Sequence, residues 1–341
     1  MKHENPSILV IGAGAVGGIT AGLLKKKGYD VTIVAKYPDY AAKIRETGVI
    51  LSGKCGSLQV AMPAIASVTE ATEGKDIVLL AVKANDMAEA ARQALPLIAN
   101  DGYMVSMQNG ICEYELASIA GKERTIGCVV GWGATMETPG VLNMTSAGDF
   151  IIGYTDRDPD EDLENIAAIL EAVVPVTITS NIIGHRYSKL IINSCITSMG
   201  AVCGLYLGEM LARKRMRKIF INIIREAVAV ADAMKIKMEV FGGRLDFRKF
   251  VAGSGWLSDL RRDLMIRIIG FKYRRLKSSS LQSIERGKPS EIDFLNGFIV
   301  AEASGNSIPV PVNRKIIETV KLIEQGKLAV SIRNFDDPVF D

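Results

Sequence analysis

The chain has few cysteines for its length, and their spacing does not pair them. Five cysteines occur among 341 residues, at positions 55, 112, 128, 195 and 203. Because their number is odd and no CxxC pair is present, the sequence predicts neither a disulfide framework nor a metal site. Residues 1–6 run directly into a predicted strand, which leaves no room for the apolar region and cleavage site of a signal peptide. We therefore expect a cytoplasmic protein.

Aromatic residues are also scarce, at 6% of the chain, and the basic residues follow no recognisable nucleic-acid-binding motif. Binding of nucleic acid is therefore disfavoured. Residues 213–277 hold 18 Lys or Arg against 6 Asp or Glu. These cations alternate with Ile, Leu, Phe and Met, as on an amphipathic helix that covers a core. The pattern favours an ordinary solvated face, and a surface for an anionic ligand or partner is the alternative.

Only one uncharged segment approaches the length of a membrane span. Residues 190–208 contain no formal charge, and 19 residues are close to what a bilayer requires. Asn193, Ser194, Thr197 and Ser198 argue against contact with lipid. Glycines at 200, 204 and 208 would allow another helix or backbone to approach closely. The sequence predicts a buried helix in a globular core and no membrane association.

The length of the chain exceeds what a single hydrophobic core usually supports, and 48% of its residues are apolar. Predicted strands and helices alternate up to about residue 180, after which helical periodicity takes over. These patterns predict an α/β fold, with an N-terminal Rossmann-type doubly wound sheet in residues 1–183 and an all-α domain in residues 184–330. Residues 331–341 are expected to form a peripheral tail.

A glycine-rich motif with G-x-G-x-x-G spacing lies between the first predicted strand and the first predicted helix. It consists of Gly12, Ala13, Gly14, Ala15, Val16 and Gly17. In such motifs the first glycine permits a tight turn, the second lets the backbone approach a pyrophosphate, and the third lets helix and strand pack closely. The helix N-terminus adds partial positive charge for the phosphates. We predict that these residues bind a dinucleotide; a purely structural turn is the alternative.

Polar residues follow three further predicted strands. Lys36 stands where NAD-binding proteins commonly have an acidic residue, and a cation there can pair with a 2′-phosphate. NADPH is therefore favoured, although Asp39 keeps NADH an alternative. Lys83 and Asn109 follow the next two strands, and ligands of such sheets bind at the carboxyl ends of the strands. We predict that both contact the cofactor; for Asn109 with Gly110, a plain turn is the alternative.

Lys189 and Asn193 are four residues apart, so a helix would place them on one face. Burial would lower the pKa of the lysine and suit it to acid-base chemistry near neutral pH. A lysine that reaches solvent is the alternative. Further along, Ser290 and Asp293 match an S-x-x-D capping box, which predicts a helix with Glu291 in its first turn. A carbonyl held between a nicotinamide and Lys189 could be reduced.

Together these motifs resemble the ketopantoate reductase (2-dehydropantoate 2-reductase) family over about residues 7–325. The matching pieces are the glycine motif, Ala-Val-Lys83, Gln-Asn109-Gly, Lys189-x-x-x-Asn193, Ser-Ser279-Ser-Leu-Gln and Glu-Arg-Gly-Lys-Pro-Ser-Glu291. The resemblance implies a Rossmann domain, a helical domain, and reduction of 2-dehydropantoate by NADPH in pantothenate and coenzyme A biosynthesis. A homodimer through the helical domain is a further expectation of the resemblance.

The resemblance also implies roles for individual residues. Lys189 would be the general acid, and Glu291 would orient that lysine or the substrate hydroxyl. Asn109, Asn193 and Ser279 would hold the oxygens of the 2-keto acid substrate.

Four positions depart from residues that are common in the family. Tyr187 replaces a tryptophan, Thr197 and Leu207 replace asparagines, and Ser283 replaces an aspartate. Loss of two amides would change hydrogen bonding to the substrate. One alternative is therefore a reductase of a larger or more anionic 2-keto acid. An alternative of another class is a non-catalytic dinucleotide-binding sensor, which would have no use for Lys189 and Glu291.

Overall fold

The computed structural model describes residues 5–341, which form two compact units. The first unit comprises the described residues up to Gln108 together with Cys112–Ile182. The second comprises Asn109–Ile111 and Ile183–Asp341. The expectation about a signal peptide concerns residues 1–4 in part, and these lie outside the described residues. The segment Asn109–Ile111 thus belongs to the second unit, although the first unit surrounds it in the sequence.

The first unit alternates strands with helices. Its elements are β1 Ser7–Ile11, α1 Ala15–Lys26, β2 Asp30–Val34, α2 Pro38–Thr47, β3 Val49–Gly53, β4 Leu58–Val60, β5 Ala64–Ile65, β6 Lys75–Leu80, α3 Ala84–Ala94, β7 Ile98–Ser106, α4 Glu113–Ala120, β8 Thr125–Val130, β9 Gly133–Thr138, β10 Val141–Ser146, β11 Phe150–Tyr154, α5 Glu161–Leu170 and β12 Val176–Ile178. Every residue of β6 and β8 is buried. Continuous burial is typical of strands whose sheet is covered on both faces.

Eight of these strands form the main sheet, in the order β12-β11-β8-β7-β6-β1-β2-β5. All neighbouring pairs are parallel except β8 with β11. The chain passes from β1 to β2 on one side and later to β6 on the other, so the strand order reverses beside β1. In open α/β sheets, ligands bind at the carboxyl ends of the strands at such a point. The predicted α/β class is confirmed.

A second sheet of four strands, in the order β4-β3-β10-β9, was not predicted. This sheet packs on α1. A Cβ atom at Gly18 would overlap Leu142 of β10, and one at Gly22 would lie 2.9 Å from Val49 of β3. The close approach explains why α1 contains glycines in its interior, where glycine is otherwise unfavourable.

The second unit is helical, as predicted. Its helices are α6 Ile182–Cys203, which starts at the last residue of the first unit, α7 Leu207–Ala212, α8 Lys214–Ala233, α9 Phe247–Val251, α10 Trp256–Lys272, α11 Ser279–Glu285, α12 Asn296–Gly305 and α13 Pro311–Glu324. Their buried side chains form a separate core that includes Ile191, Phe220 and Ile316.

The uncharged segment 190–208 is helical and mostly buried as far as Cys203, whereas Gly204 and Tyr206 beyond it are exposed. The helix α6 ends at Cys203 because Gly204 has a φ of +73°, which favours glycine. Gly200 and Gly208 allow a close approach, because added Cβ atoms would lie 2.5 Å from Cβ of Ser278 and 2.6 Å from Cβ of Arg274. No helix of residues 5–341 is both long enough and apolar enough to cross a membrane.

Two local features of the second unit differ from expectation. The helix that the S-x-x-D pattern predicts does not start at Ser290. The Ser290 hydroxyl donates to Glu324 at 2.6 Å and accepts from the Ile292 N–H at 3.3 Å, and Asp293 pairs with Lys321. The segment Ile292–Phe294 is a 3-10 turn, and α12 begins only at Asn296. The C-terminal tail also contributes to the helical core, where Phe335 and Phe340 are buried with their ring centroids 5.0 Å apart.

Candidate active site

The glycine motif forms a tight turn between β1 and α1. Gly12 has a φ of +113°, and a Cβ atom there would lie 2.8 Å from the backbone of Ala81. A Cβ atom on Gly17 would overlap the carbonyl oxygen of Gly12. Only glycine therefore fits these two positions, because one needs a positive φ and the other has no room for a side chain.

The N-terminus of α1 has the properties of an anion-binding site. Its N-cap is Gly14, which provides no side-chain hydrogen bond, and its first turn contains no acidic residue. A Cβ atom at Gly14 would meet no atom within 4 Å. Space is therefore open in front of the first N–H groups and the positive end of the helix dipole. The pyrophosphate of a dinucleotide fits this arrangement.

The predicted cofactor residues of the first unit follow three adjacent strands. Gly12 follows β1, Lys36 lies two residues beyond β2, and Lys83 is the N-cap of α3 after β6. Lys36 is 74% exposed, and its Nζ lies 3.6 Å from Oδ1 of Asp86 in α3. This side chain can reach an anionic ligand, although Asp86 competes for its charge. Beside the motif, the Tyr40 hydroxyl donates to the carbonyl oxygen of Ala13 at 2.6 Å.

In the second unit, α6 carries two of the predicted site residues one turn apart. Lys189 and Asn193 are both half-buried. Nδ2 of Asn193 donates to Oδ1 of Asn109 at 3.3 Å. The contact brings Asn109 of the Gln-Asn-Gly motif to the helix that carries Lys189, one turn away from this predicted proton donor.

The loop that follows Asn109 also packs against the segment that contains Glu291. Gly110 has a φ of +86°, and a Cβ atom there would lie 2.5 Å from the carbonyl oxygen of Phe294. Glu291 is buried and is the N-cap of the turn Ile292–Phe294. The second unit therefore gathers Asn109, Asn193 and the Glu291 segment at one place, although they are far apart in the sequence.

Ser279 is the first residue of α11 and is half-buried. Its neighbour Ser278 fixes the start of this helix to α6. The Ser278 hydroxyl donates to the carbonyl oxygen of Thr197 at 2.6 Å and accepts from the Leu281 N–H at 3.0 Å. Sequence reasoning missed Ser278, although a serine before a helical run is a common N-cap signal. It also missed Tyr40, for which the sequence contains no signal.

The four residues that depart from the family pattern use their side chains within the helical unit. The Tyr187 hydroxyl donates to Ala227 O at 2.8 Å, and burial raises the pKa of this tyrosine. The Thr197 hydroxyl donates to Asn193 O at 2.6 Å, and the Ser283 hydroxyl donates to Ser279 O at 3.2 Å. Leu207 is buried in the helical core. Thr197 and Leu207 thus serve helix geometry and packing.

No cluster of three or more His, Cys, Asp or Glu side chains that could hold a metal occurs in the described part of the chain. All five cysteines are free thiols, and four of them are buried.

Comparisons with known proteins cover both units. Two family profiles match, "Ketopantoate reductase PanE/ApbA" over residues 8–157 and its C-terminal counterpart over residues 181–324. The 2-dehydropantoate 2-reductase of Pyrococcus horikoshii is 28% identical over 93% of this chain and 97% of its own. The relative from Archaeoglobus fulgidus with the same name is 27% identical over 94% and 98%.

Solved structures show the same fold. A PanE/ApbA family ketopantoate reductase from Ralstonia eutropha is 30% identical, with a TM-score of 0.81 over 94% of this chain and 99% of its own. D-mandelate dehydrogenase, solved with NADH and anilino(oxo)acetate, has a TM-score of 0.80 over 94% and 99%, at 20% identity. The profiles and the Ralstonia protein span both units, so this chain belongs to the ketopantoate reductase family.

Proposed function

We propose that this protein reduces 2-dehydropantoate to pantoate with NADPH, as a step of pantothenate and coenzyme A biosynthesis in the cytoplasm. Relatives that carry the name 2-dehydropantoate 2-reductase, at 26–29% identity, support this proposal. The observation that carries it is the contact between Asn109 and Asn193 on the helix of Lys189. Residues 1–183 would be the cofactor domain and residues 184–330 the substrate domain.

The glycine motif would hold the cofactor. When bound, a reduced nicotinamide dinucleotide supplies a hydride for a carbonyl carbon. The open N-terminus of α1 supports binding of the pyrophosphate. The exposed cation of Lys36 supports a preference for NADPH, because it could pair with the 2′-phosphate. Lys83 and Asn109 would complete the cofactor contacts.

Lys189 would deliver the proton that completes the reduction. As the carbonyl carbon gains a hydride, its oxygen becomes an alkoxide, and the lysine Nζ donates a proton to that oxygen to give a hydroxyl. The amides of Asn109 and Asn193 and the Ser279 hydroxyl would hold the substrate's other oxygens. Glu291, buried beside the loop of Asn109, would orient the lysine or the product hydroxyl.

A second candidate is reduction of a different 2-keto acid, larger or more anionic than 2-dehydropantoate. The observation that favours it is the placement of Thr197 and Leu207, whose side chains are committed to helix α6 and to the core. A pocket that lacks two amides would recognise a different set of substrate oxygens.

The test is steady-state oxidation of NADPH and NADH by the purified chain, with 2-dehydropantoate beside the larger phenylglyoxylate and the more anionic 2-oxoglutarate. We expect kcat/KM to be highest for 2-dehydropantoate with NADPH. A higher value for another keto acid would establish the second candidate. Tight NADPH binding without turnover of any member of the panel would indicate a dinucleotide sensor instead.

A further inference from the structure

The hydroxyl of Tyr40, in helix α2 of the first unit, joins the glycine motif to the small sheet. It donates to the carbonyl oxygen of Ala13 at 2.6 Å and accepts from the N–H of Gly140 at 3.2 Å. Sδ of Met136 lies 3.6 Å from the same hydroxyl oxygen. Met136 and Gly140 belong to the hairpin of β9 and β10, 96 and 100 residues further along the chain. One hydroxyl therefore connects α2, the glycine motif and this hairpin.

Helix α2 is anchored to the sheet without this hydroxyl. Ala41 and Ile44 are fully buried, and Nη1 of Arg45 donates to the carbonyl oxygen of Ala64 in β5 at 2.8 Å. These contacts hold the helix by its apolar face and by its last turn. The hydroxyl of Tyr40 is therefore available to serve the glycine motif rather than the attachment of α2.

The Tyr40 hydroxyl remains a proton donor at neutral pH. The side chain is half-buried, and burial raises its pKa, although the hydrogen bond from Gly140 opposes the rise. A protonated hydroxyl has one proton to donate, and the carbonyl oxygen of Ala13 can only accept. The direction of both hydrogen bonds is therefore settled by the chemistry of the three groups.

The glycine motif has little packing of its own to fix its backbone at Gly14. A Cβ atom there would meet no atom within 4 Å, and Gly14 offers no side-chain cap to α1. Glycine has more conformational freedom than any other residue. A segment that must be ordered when its ligand arrives loses affinity, and a segment that is already held in the binding conformation does not. A hydrogen bond from outside the motif can supply this order.

Holding the carbonyl of Ala13 also fixes the direction of the Gly14 N–H. The peptide between these two residues is trans, so its C=O and N–H point in opposite directions within one plane. Because Tyr40 binds the oxygen on one side, the N–H is directed to the other. Gly14 is the N-cap of α1, and N–H groups at the start of a helix are those that bind a phosphate.

The small sheet holds the Tyr40 hydroxyl in place. Gly140 donates to this hydroxyl through its N–H, and its carbonyl oxygen accepts from the Ile50 N–H of β3 at 2.8 Å. The same sheet packs on α1 through Leu142 of β10. The hairpin, α1 and α2 therefore form a closed set of contacts around the carbonyl of Ala13.

We propose that Tyr40 is a positioning residue for the dinucleotide. Its hydroxyl, supported by the small sheet, holds the peptide between Ala13 and Gly14 so that the N–H groups at the start of α1 are aligned for the pyrophosphate before the cofactor binds. The side chain acts through the backbone rather than by contact with the cofactor. This inference rests on the proposed binding of the dinucleotide at the glycine motif and is independent of the identity of the keto acid.

The test is Tyr40→Phe, which removes the hydroxyl and keeps the ring. Fluorescence titration should show the Kd values for NADPH and NADH raised by the same factor, about 3- to 10-fold, because the pyrophosphate is common to both and one neutral hydrogen bond is lost. The matched control is Tyr103→Phe in β7, which loses the hydrogen bond to Oδ2 of Asp162 at 2.7 Å and should keep both Kd values. Circular dichroism checks that both variants are folded.

Two further measurements separate positioning from a general loosening of the first unit. ADP carries a diphosphate without the nicotinamide, so its Kd should rise in Tyr40→Phe by the same factor as that of NADPH. In steady-state kinetics, Tyr40→Phe should raise the KM for both cofactors by more than it changes kcat or the KM for 2-dehydropantoate. Hydrogen exchange should show that NADPH protects residues 133–146 in the wild type and protects them less in Tyr40→Phe.

Equal Kd values for the wild type and Tyr40→Phe would overturn the inference and leave the proposed reductase function intact. A rise confined to one of the two cofactors, or an equal rise in Tyr103→Phe, would overturn it as well. A wild-type chain that binds neither NADPH nor NADH would overturn the proposed function, and this inference with it.

Discussion

Two side chains of α6, Lys189 and Asn193, are polar and half-buried, and Asn193 contacts a second amide. Lys189 and Asn193 are half-buried on a helix whose neighbouring residues Leu190, Ile191 and Ile192 are buried. The backbone carbonyl of Asn193 accepts the Thr197 hydroxyl, and its side-chain amide reaches Asn109. A rigid, well-packed helix therefore fixes both the predicted proton donor and an amide that can orient a substrate. Such preorganisation is what transfer of a proton in a transition state requires.

Replacing Lys189 with alanine tests its proposed role. We expect kcat with 2-dehydropantoate to fall by about 10²- to 10⁴-fold, the range typical of losing a general acid. The Kd for NADPH should change by less than about tenfold, since the loss concerns the transition state. Lys218→Ala on α8, which removes an exposed lysine of the same unit, is the control and should keep wild-type kcat. An unchanged kcat in Lys189→Ala would exclude the role.

Lys36 should govern the choice between cofactors. In Lys36→Asp, we expect the KM for NADPH to rise about tenfold or more, because a charge-assisted hydrogen bond is worth about 1.5–3 kcal/mol. The KM for NADH should fall or stay constant, since a carboxylate can accept from the ribose hydroxyls. Steady-state kinetics with both cofactors measures this, with Lys43→Asp in α2 as an exposed control. Equal use of both cofactors by the wild-type chain would remove the premise.

At the scale of elements, a half-buried carboxylate fixes the N-terminus of α13. Glu226 of α8 accepts from the N–H groups of Val312 and Asn313, each at 2.9 Å, and from the Asn313 side-chain amide at 2.7 Å. Asn313 in turn accepts from Asn296 of α12 at 2.9 Å. Burial raises the pKa of Glu226, although these hydrogen bonds oppose the rise. Three helices therefore depend on one titratable group.

Because the pKa of Glu226 is higher in the folded than in the unfolded chain, the folded chain binds more protons at pH values between its ordinary value of 4.5 and the raised value. Its contribution to stability is therefore full below pH 4.5 and decreases as the pH rises through the folded pKa. We expect the unfolding free energy of the wild type to fall relative to that of Glu226→Gln over this interval. Urea titrations from pH 4 to 7.5 measure the difference; the Glu318→Gln control on α13 should show none. A wild-type unfolding free energy that rises with pH relative to that of Glu226→Gln would contradict the assignment.

The elements that the sequence predicts are those whose signal is local. The G-x-G-x-x-G turn, the buried strands β1 and β6, and helix α6 follow from short motifs and periodicity. The small sheet does not, because β3 pairs with β10 about ninety residues away, as in the bond from Ser52 to Leu142. The start of α12 was misplaced for a similar reason. The Ser290 hydroxyl, expected to cap this helix, donates a hydrogen bond to Glu324, which is 34 residues further along the chain.

At the scale of the whole molecule, each unit has its own hydrophobic core. The residues predicted to bind the cofactor through its phosphates belong to the first unit, whereas those predicted to bind substrate, including Asn109, belong to the second. Sequence order could not show this division, because the Gln-Asn-Gly motif interrupts the first unit. A ligand that binds through the glycine motif alone should therefore stabilise the first unit in particular.

Thermal unfolding with and without NADPH tests this division. At about 100 times its Kd, a ligand that binds only the folded state adds about 2.7 kcal/mol, which for a unit of this size raises Tm by about 5–10 °C. Hydrogen exchange should show the added protection in β1, α1 and β6. Gly14→Ala should leave the ligand-free Tm unchanged, because its Cβ meets no atom within 4 Å, yet reduce the shift, because that Cβ occupies the space in front of α1. The control is Gly305→Ala in α12, whose Cβ also meets no atom within 4 Å; it should keep the full rise in Tm with NADPH. A full rise in Gly14→Ala would show that the cofactor binds elsewhere.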